Sequence, residues 1–465
     1  MIEYETIEIH KEEDYDEILK KVPVQFTRHI YARAWLHELK KKIGTKINLL
    51  LIEFPYYDSE YLSSYYSFYS KKFRNYGKES CRIHMLKDEK YMGYISLRPT
   101  SHHLNFSKSY LDPKLLLQNK AYLMLSEFSA HIYGIEYRVK AFPWMNQQRD
   151  FSMCAHIAAW EILKFYGNEH RGYKDITIGE LVEQIKESGD RKLPSNGLNL
   201  QQIADIFRCY QMTPIILRKE NDRKQEFYRS ILAYVESGIP IVGAINKREH
   251  AVAVIGHGKI DLGRLECLNG LIDSSELCTS LIVNDDNQLP YSEVFYSKNG
   301  NKDKGYCIED LDFAIVPLYN RIHLEYAVLY ERVKSYLQND FSDKYTDAVI
   351  RIYLTSASSL KRKISEMEEM QLTLKDIILR LEMPKFIWCV DISSKEEYKI
   401  EKVSSKLIID STACAGDLTP WLLVQKKDEI LYREGEVWNK IVEKVEPYSI
   451  YQNNLKEMEP WSGKK

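Results

Sequence analysis

The segment from Gln147 to Gly167 constrains the fold of this 465-residue chain more than any other stretch. From Met153 onward, apolar and small residues recur at helical spacing, which predicts a mostly buried helix that ends near Gly167. Cys154 then lies in the first turn, where unpaired backbone N–H groups and the helix dipole favour a thiolate. A cysteine in an alanine-rich helix is also a common small core residue, so its role depends on the rest of the chain.

The other groups that a cysteine nucleophile needs are present on both sides of Cys154 in the sequence. Gln148 lies six positions before the cysteine, within reach to donate its side-chain amide to an oxyanion beside the sulfur. A thiol nucleophile also needs a base that takes its proton and a third group that orients the base. His250 fits the base, and Asp285 fits the orienting carboxylate.

The strand pattern supports these two assignments. Two apolar runs, Ile241–Ile245 and Ala251–Ile255, predict an antiparallel hairpin of buried strands with His250 where the second strand begins. The next apolar strand, Ser280–Val283, leads directly to Asn284 and Asp285. We therefore expect the histidine and the aspartate to meet on neighbouring strands that pack against the cysteine helix.

Four other residues compete for these roles. His257 is a rival base, but its Gly-His-Gly setting indicates a turn. Asn284 and Asp286 are rivals to Asp285, although strand alternation predicts that they face the opposite side. Cys414 follows a strand as a rival nucleophile, but no histidine comes after it, and a buried or turn cysteine is the simpler interpretation.

These features together resemble the papain-like cysteine peptidases, most closely the bacteriocin-processing, double-glycine leader peptidases and their stand-alone relatives. The resemblance covers about residues 140–320. It rests on the following features: Gln148, Cys154, the pair Tyr166-Gly167, the helix after Gly197, the strand after Gly238-Ile239-Pro240, the run His250-Ala251-Val252-Ala253-Val254-Ile255-Gly256, and the turn at Asn284-Asp285.

The resemblance implies an α+β fold with a papain-like core, in which a helix bearing the cysteine packs on an antiparallel sheet bearing the histidine and the aspartate. It implies Cys154 as nucleophile, His250 as base and later acid, Asp285 as orienter and Gln148 as oxyanion donor. The chain departs from the family at Ala155, where glycine is usual, and at Asp286, where proline is usual. An insertion at about 260–280 is expected to gate the cleft, so the family's substrate choice does not transfer.

We expect three regions: an N-terminal accessory α/β region over residues 1–135, the peptidase core over 136–320 and a C-terminal α/β region over 321–465. The flanking regions carry no recognisable motif. Our hypothesis is that they gate the cleft or recruit a protein, either as substrate or as a regulatory partner.

Composition narrows the partners and the compartment. The 65 basic and 67 acidic residues give a net charge of −2, which argues against nucleic-acid binding. The apolar runs are too short to cross a membrane, and the acidic start lacks a signal peptide, so we expect a cytoplasmic, bacterial-type protein. The eight scattered cysteines include no Cys-x-x-Cys pair, and we expect no metal, no disulfide framework and no cofactor.

The predicted function is therefore a cysteine peptidase that cleaves a peptide or protein through an acyl-enzyme. Two alternatives stay open from sequence. One is a catalytically inactive scaffold that serves as a binding or regulatory module. The other is an acyltransferase of the transglutaminase type, because the same triad can pass the acyl group to an amine.

Overall fold

The computed structural model describes residues 2–27, 32–100, 105–185, 193–301, 305–340, 347–414 and 416–461. The fold is mixed α+β, as the sequence predicted, and it contains several antiparallel sheets. None of the helices in these ranges is both long and apolar enough to cross a lipid bilayer. Three large sheets organise the structure, and we call them the N-terminal, central and C-terminal sheets.

The N-terminal sheet is antiparallel throughout and follows the strand order β1-β2-β3-β4-β5. The strands are β1 (Glu3–Glu8), β2 (Leu49–Tyr56), β3 (Ser80–Lys87), β4 (Lys90–Leu97) and β5 (Tyr110–Leu111), and the helices are α1 (Ile18–Lys21), α2 (Ala32–Ile43) and α3 (Ser59–Ser67). Apolar side chains of α1 and α2 share one buried cluster with those of strands β1 to β4.

The central sheet is also antiparallel, and it contains the predicted hairpin. Its order is β14-β13-β11-β10-β15-β9, and β6 joins β11 to β24. A separate hairpin, β7 (Ser126–Ile132) with β8 (Ile135–Ala141), precedes it. The strands of the central sheet and the helices of the same region are β6 (Ala121–Leu123), α4 (Cys154–Glu169), α5 (Ile178–Gln184), α6 (Leu200–Cys209), β9 (Met212–Arg218), α7 (Lys224–Glu236), β10 (Ile241–Ile245), β11 (His250–His257), β13 (Ser280–Asn284), β14 (Ser292–Phe295), β15 (Phe313–Tyr319) and β24 (Lys456–Met458).

The C-terminal sheet has the order β12-β16-β17-β19-β20-β21-β22, with β12 parallel to β16 and the other pairs antiparallel. Strands β18 (Lys402–Val403) and β23 (Tyr448–Ser449) form a small separate pair. The strands of the C-terminal sheet and the helices of the same region are β12 (Ile272–Asp273), α8 (Tyr326–Asp340), β16 (Ala348–Ser356), α9 (Ala357–Glu366), α10 (Leu372–Arg380), β17 (Phe386–Ser394), α11 (Lys395–Lys399), β19 (Ser405–Asp410), β20 (Trp421–Gln425), β21 (Glu429–Glu434) and β22 (Val437–Val442).

Helix α4 lies at the centre of the fold. Every residue from Ala155 to Tyr166 is buried, because β10, β11, β7, α5 and α6 all pack around the helix. The sequence placed the end of this helix near Gly167, but the helix continues to Glu169. Gly167 instead permits a close approach, since a Cβ there would lie 2.9 Å from the carbonyl oxygen of Lys174.

The insertion at residues 260–280, which the sequence analysis expected to gate the cleft, lies against the C-terminal sheet instead. Residues 260–280 carry β12, which pairs with β16 and so extends the C-terminal sheet. Leu265, Ile272 and Leu277 form a small apolar cluster with Val349 and Tyr398. The segment attaches the central sheet to the C-terminal one because its apolar side chains find their partners there.

A buried acid joins the N-terminal region to α4. The carboxylate of Glu60, on α3, accepts hydrogen bonds from the indole N–H of Trp160 at 3.1 Å and from Lys164 Nζ at 3.1 Å. It also accepts the backbone N–H of Ile178 at 2.8 Å, at the start of α5. The acid therefore sets how α3, α4 and α5 meet.

We expect Glu60→Ala to lower the free energy of unfolding by about 2–4 kcal/mol, because it leaves the indole N–H of Trp160 and the backbone N–H of Ile178 without their acceptor. Urea unfolding followed by tryptophan fluorescence measures the change. Glu13→Ala, at an exposed site, is the matched control and should change the free energy by less than about 0.5 kcal/mol. Equal stability of the two variants would contradict the role given to Glu60.

Candidate active site

Cys154 is the first residue of α4, as the sequence predicted. Met153, just before it, has extended backbone geometry, and its N–H donates to Nδ1 of His156 at 3.3 Å. Burial lowers the pKa of His156 to about 4, so the ring is neutral and can accept this bond. His156 therefore fixes the start of the helix and the direction of the neighbouring thiol.

His250 is the first residue of β11 and contacts both predicted partners. Its Nε2–H donates to Oδ1 of Asp285 at 3.1 Å, which leaves Nδ1 for the thiol. Cys154 is one of the groups that raise the pKa of the ring, so its thiol lies close to the imidazole. Glu249 precedes the histidine in left-handed geometry, with φ at 49°, and its carbonyl oxygen lies 3.8 Å from Sγ of Cys154.

Asp285 follows directly after β13, and several donors hold its carboxylate. Oδ1 also accepts the backbone N–H of Asn287 at 3.0 Å, and Oδ2 accepts the hydroxyl of Tyr306 at 3.0 Å. Burial alone would raise the pKa of Asp285, but the bonds from His250, Asn287 and Tyr306 hold it below its ordinary value. The sequence analysis missed both Asn287 and Tyr306. An Asp-x-Asn turn could have indicated Asn287, whereas nothing local marks Tyr306.

The same contacts determine the charge of the imidazole. Burial favours the neutral ring, but the hydrogen bond with Asp285 and the nearby thiol of Cys154 outweigh it and raise the pKa of His250 to about 10. The ring is therefore an imidazolium at neutral pH. It can stabilise a thiolate and later deliver a proton.

The strand-alternation argument is correct for Asn284 and wrong for Asp286. The side chain of Asn284 turns away, donating to the carbonyl of Pro143 at 3.1 Å and accepting the N–H of Tyr291 at 3.0 Å. Because β13 ends at Asn284, the chain turns and returns Asp286 to the same side as Asp285. Ligand atoms of His250, Asp285 and Asp286 lie within 4.8 Å of one another.

This trio is the group of described residues that could hold a metal ion. Both oxygens of Asp285 already accept hydrogen bonds, and Nε2 of His250 already donates one. A cation would have to displace those bonds. The arrangement is better suited to proton transfer than to metal binding.

Gln148 lies in the loop before α4, and its side-chain amide is unusual. Both amide atoms are buried without a hydrogen-bond partner among the described residues. An unpaired buried polar group of this kind costs about 1–3 kcal/mol. Gln148 is not among the described residues that line the cleft, so its oxyanion role remains a prediction.

Neighbouring contacts hold the Gln148 loop in place. The buried guanidinium of Arg98 donates to the carbonyl of Gln147 at 2.8 Å. Asn146 Nδ2 donates to the carbonyl of Asp286 at 2.5 Å, and Gln147 Nε2 donates to Oδ1 of Asn287 at 3.1 Å. The loop before the cysteine and the turn after β13 are thus bonded to each other.

The rival base His257 and the rival nucleophile Cys414 lie outside this arrangement. His257 is the last residue of β11 rather than part of a turn, and its Nε2 lies 3.0 Å from Oε1 of Glu236. It is buried against Tyr122, whose ring stacks on it with centroids 5.0 Å apart. Cys414 is an exposed thiol in the C-terminal region.

A cavity of about 860 Å³ opens at the thiol. One part is apolar, with Val182, Ile185 and Leu198, while another part is lined by amides. No residue of the 260–280 insertion lines it, nor does any residue beyond 251, within the part of the chain that the structure describes. The lining comes from α4, α5, α6, the 195–199 loop and the β10–β11 turn.

No protein-family model matches the sequence, and a search of curated proteins finds no significant match. The function is therefore inferred from the geometry of the site.

The pKa of His250 gives a direct test of the Asp285 contact. Asp285→Asn removes the charge that contributes most to raising this pKa, and burial still favours the neutral ring, so we expect the pKa of His250 to fall from about 10. In the wild type, the imidazolium stabilises the fold fully below pH 6.5, and this contribution is lost as the pH rises through about 10. NMR titration of labelled histidine measures the shift, with Asp222→Asn as the exposed control. Titration of wild-type His250 near 6.5 would contradict the assignment.

Asp286 provides a second pH test. Burial and the neighbouring charge of Asp285 raise the pKa of Asp286 from 3.8 to about 7. Between pH 3.8 and about 7, Asp286 is ionised in the unfolded chain but keeps its proton in the folded protein. The free energy of unfolding of the wild type therefore falls as the pH rises through this range. We expect the stability advantage of Asp286→Asn over wild type to grow from pH 4 to pH 7 by up to about 4 kcal/mol. Urea unfolding across that range measures it, and a constant difference would refute it.

Proposed function

We propose that the chain is a cysteine peptidase of the papain-like type, with Cys154 as nucleophile, His250 as base and acid, and Asp285 as orienter. The observation that carries this proposal is the imidazole of His250, which bonds to Asp285 at 3.1 Å and whose pKa is raised by the nearby thiol of Cys154. A helix start, a protonated ring and a multiply bonded carboxylate are the parts that thiol catalysis needs.

The reaction follows from the protonation states. The thiolate of Cys154 attacks a peptide carbonyl and forms a C–S bond, and the negative charge moves to the carbonyl oxygen. Gln148 is the proposed donor to that oxyanion. His250 gives its proton to the leaving amine as the C–N bond breaks. The neutral ring then takes a proton from water, which attacks the thioester and frees the acid and Cys154.

The cleft supports a peptide as substrate. Its volume of about 860 Å³ accommodates several residues of an extended chain. The apolar side chains of Val182, Ile185 and Leu198 can hold a substrate side chain. The amides of Asn199 and Asn246 can hydrogen-bond to its backbone.

The first test compares thiols within one protein. Cys209, Cys267 and Cys414 are exposed and free, whereas Cys154 is only partly exposed. With limiting iodoacetamide at pH 7, we expect Cys154 to react at least about tenfold faster than these three, because the imidazolium favours its thiolate. His250→Ala should abolish that advantage and leave the three exposed rates unchanged. Mass spectrometry of the alkylated peptides measures all four rates.

A second arm tests hydrolysis. The purified protein is incubated with a degenerate peptide library, and new termini are mapped by mass spectrometry. We expect cleavage by the wild type and none by Cys154→Ser. Cleavage that survives in Cys154→Ser, or ordinary reactivity of Cys154, would overturn the proposal.

A further inference from the structure

A second large cavity, of about 1140 Å³, lies between helix α2 and the chain from Asn287 to Asn301. Three lysines line it, namely Lys41, Lys42 and Lys46. It is separate from the cleft at Cys154, because none of the described lining residues is shared.

The lysines of this cavity form no ion pair with a described residue. Burial lowers the pKa of Lys42 and of Lys46, which shows that both ammonium groups are partly desolvated. Lys46 donates to the carbonyl of Leu115 at 2.6 Å, and the charge of Glu38 offsets only part of the burial of Lys42. Among the described residues, no carboxylate lies within ion-pair distance of Lys41, Lys42 or Lys46. Desolvated cations without a partner are costly, and an anion would relieve that cost.

Trp35 adds an independent observation. It lines the same cavity and is 1% exposed, yet its indole N–H has no hydrogen-bond partner among the described residues. Buried indole N–H groups are normally bonded. A buried donor without an acceptor, in the wall of a cavity that lysines also line, is the complement of an anionic oxygen.

We propose that this cavity binds a small polyanion whose phosphate or carboxylate groups meet Lys42, Lys46 and the indole of Trp35. Two acids, Glu38 and Glu293, also line the cavity. Glu293 accepts hydrogen bonds from Ser280 at 2.6 Å and from Asn119 at 2.9 Å. Apolar side chains, including Leu116 and Phe106, line the remaining wall and suit an organic body on the anion.

The occupant would act on the candidate active site through Asn287, which lines this cavity. The backbone N–H of Asn287 donates to Asp285 at 3.0 Å, and its side-chain oxygen accepts from Gln147 at 3.1 Å. A ligand that shifts Asn287 therefore changes the support of Asp285 and of the loop before Cys154. This regulatory part rests on the proposed function, whereas the anion site does not.

Calorimetric titration tests the site with pyrophosphate, citrate and ATP as probes. We expect the wild type to bind at least one of them, and Lys42→Met with Lys46→Met to bind it more than about tenfold more weakly, since hydrogen bonds to charged groups are lost. Lys40→Met is the control on the same helix. Lys40 pairs with Asp16 at 2.5 Å and does not line the cavity.

The outcomes separate the alternatives. Binding of ATP without pyrophosphate would show that the organic body is needed, and citrate alone would identify a carboxylate ligand; both support the site. No binding of any probe at millimolar concentration, or an equal loss in Lys40→Met, would overturn it. Thermal unfolding verifies that the double variant is folded.

The regulatory part has its own readout. Saturating probe should change the alkylation rate of Cys154 in the wild type and in Lys40→Met but not in the double variant. An unchanged rate despite binding would overturn the regulatory part. If Cys154 shows only ordinary reactivity without any probe, the proposed function fails while the calorimetry still tests the anion site.

Discussion

One buried carboxylate, that of Asp285, sets the charge of the ionisable groups around it. Its negative charge is tolerated because His250, Asn287 and Tyr306 all donate to it. The same charge raises the pKa of His250 and, with burial, that of Asp286. Because the charge of Asp285 opposes the effect of burial on His250 and adds to the effect of burial on Asp286, removing it would alter the whole site rather than one bond.

Rigid surroundings keep these groups in register. Helix α4 is buried on all sides over most of its length, so the sulfur of Cys154 has little freedom relative to β11. The loop before the helix is bonded to Arg98 on one side and to the Asp286–Asn287 turn on the other. Preorganisation of this kind is what an oxyanion site requires, since donors must be in place before charge develops.

Much of the site could be predicted from sequence because its parts have local signals. Periodicity located the start of α4, and two short apolar runs located the β10–β11 hairpin with His250. Tyr306 could not be found this way, because its bond to Asp285 joins segments that only the tertiary fold brings together. Asp286 was misplaced because strand alternation was applied two residues beyond the end of β13.

The larger architecture carried weaker local signals. The 260–280 insertion has no sequence pattern that indicates its partner, and its apolar side chains pack against β16 rather than over the cleft.

The position of this insertion also changes how an experiment on the flanking regions would be interpreted. Glu236, on α7, bonds to His257 at 3.0 Å and to Arg351, on β16, at 2.7 Å, so a buried charge pair crosses between the central and C-terminal sheets. Deleting the C-terminal region would leave Glu236 and His257 without that cation and expose the apolar cluster around Ile272. Loss of activity after such a deletion would therefore report lost stability before it reported lost gating. Point substitutions that keep both sheets intact are the informative way to examine what the flanking regions do.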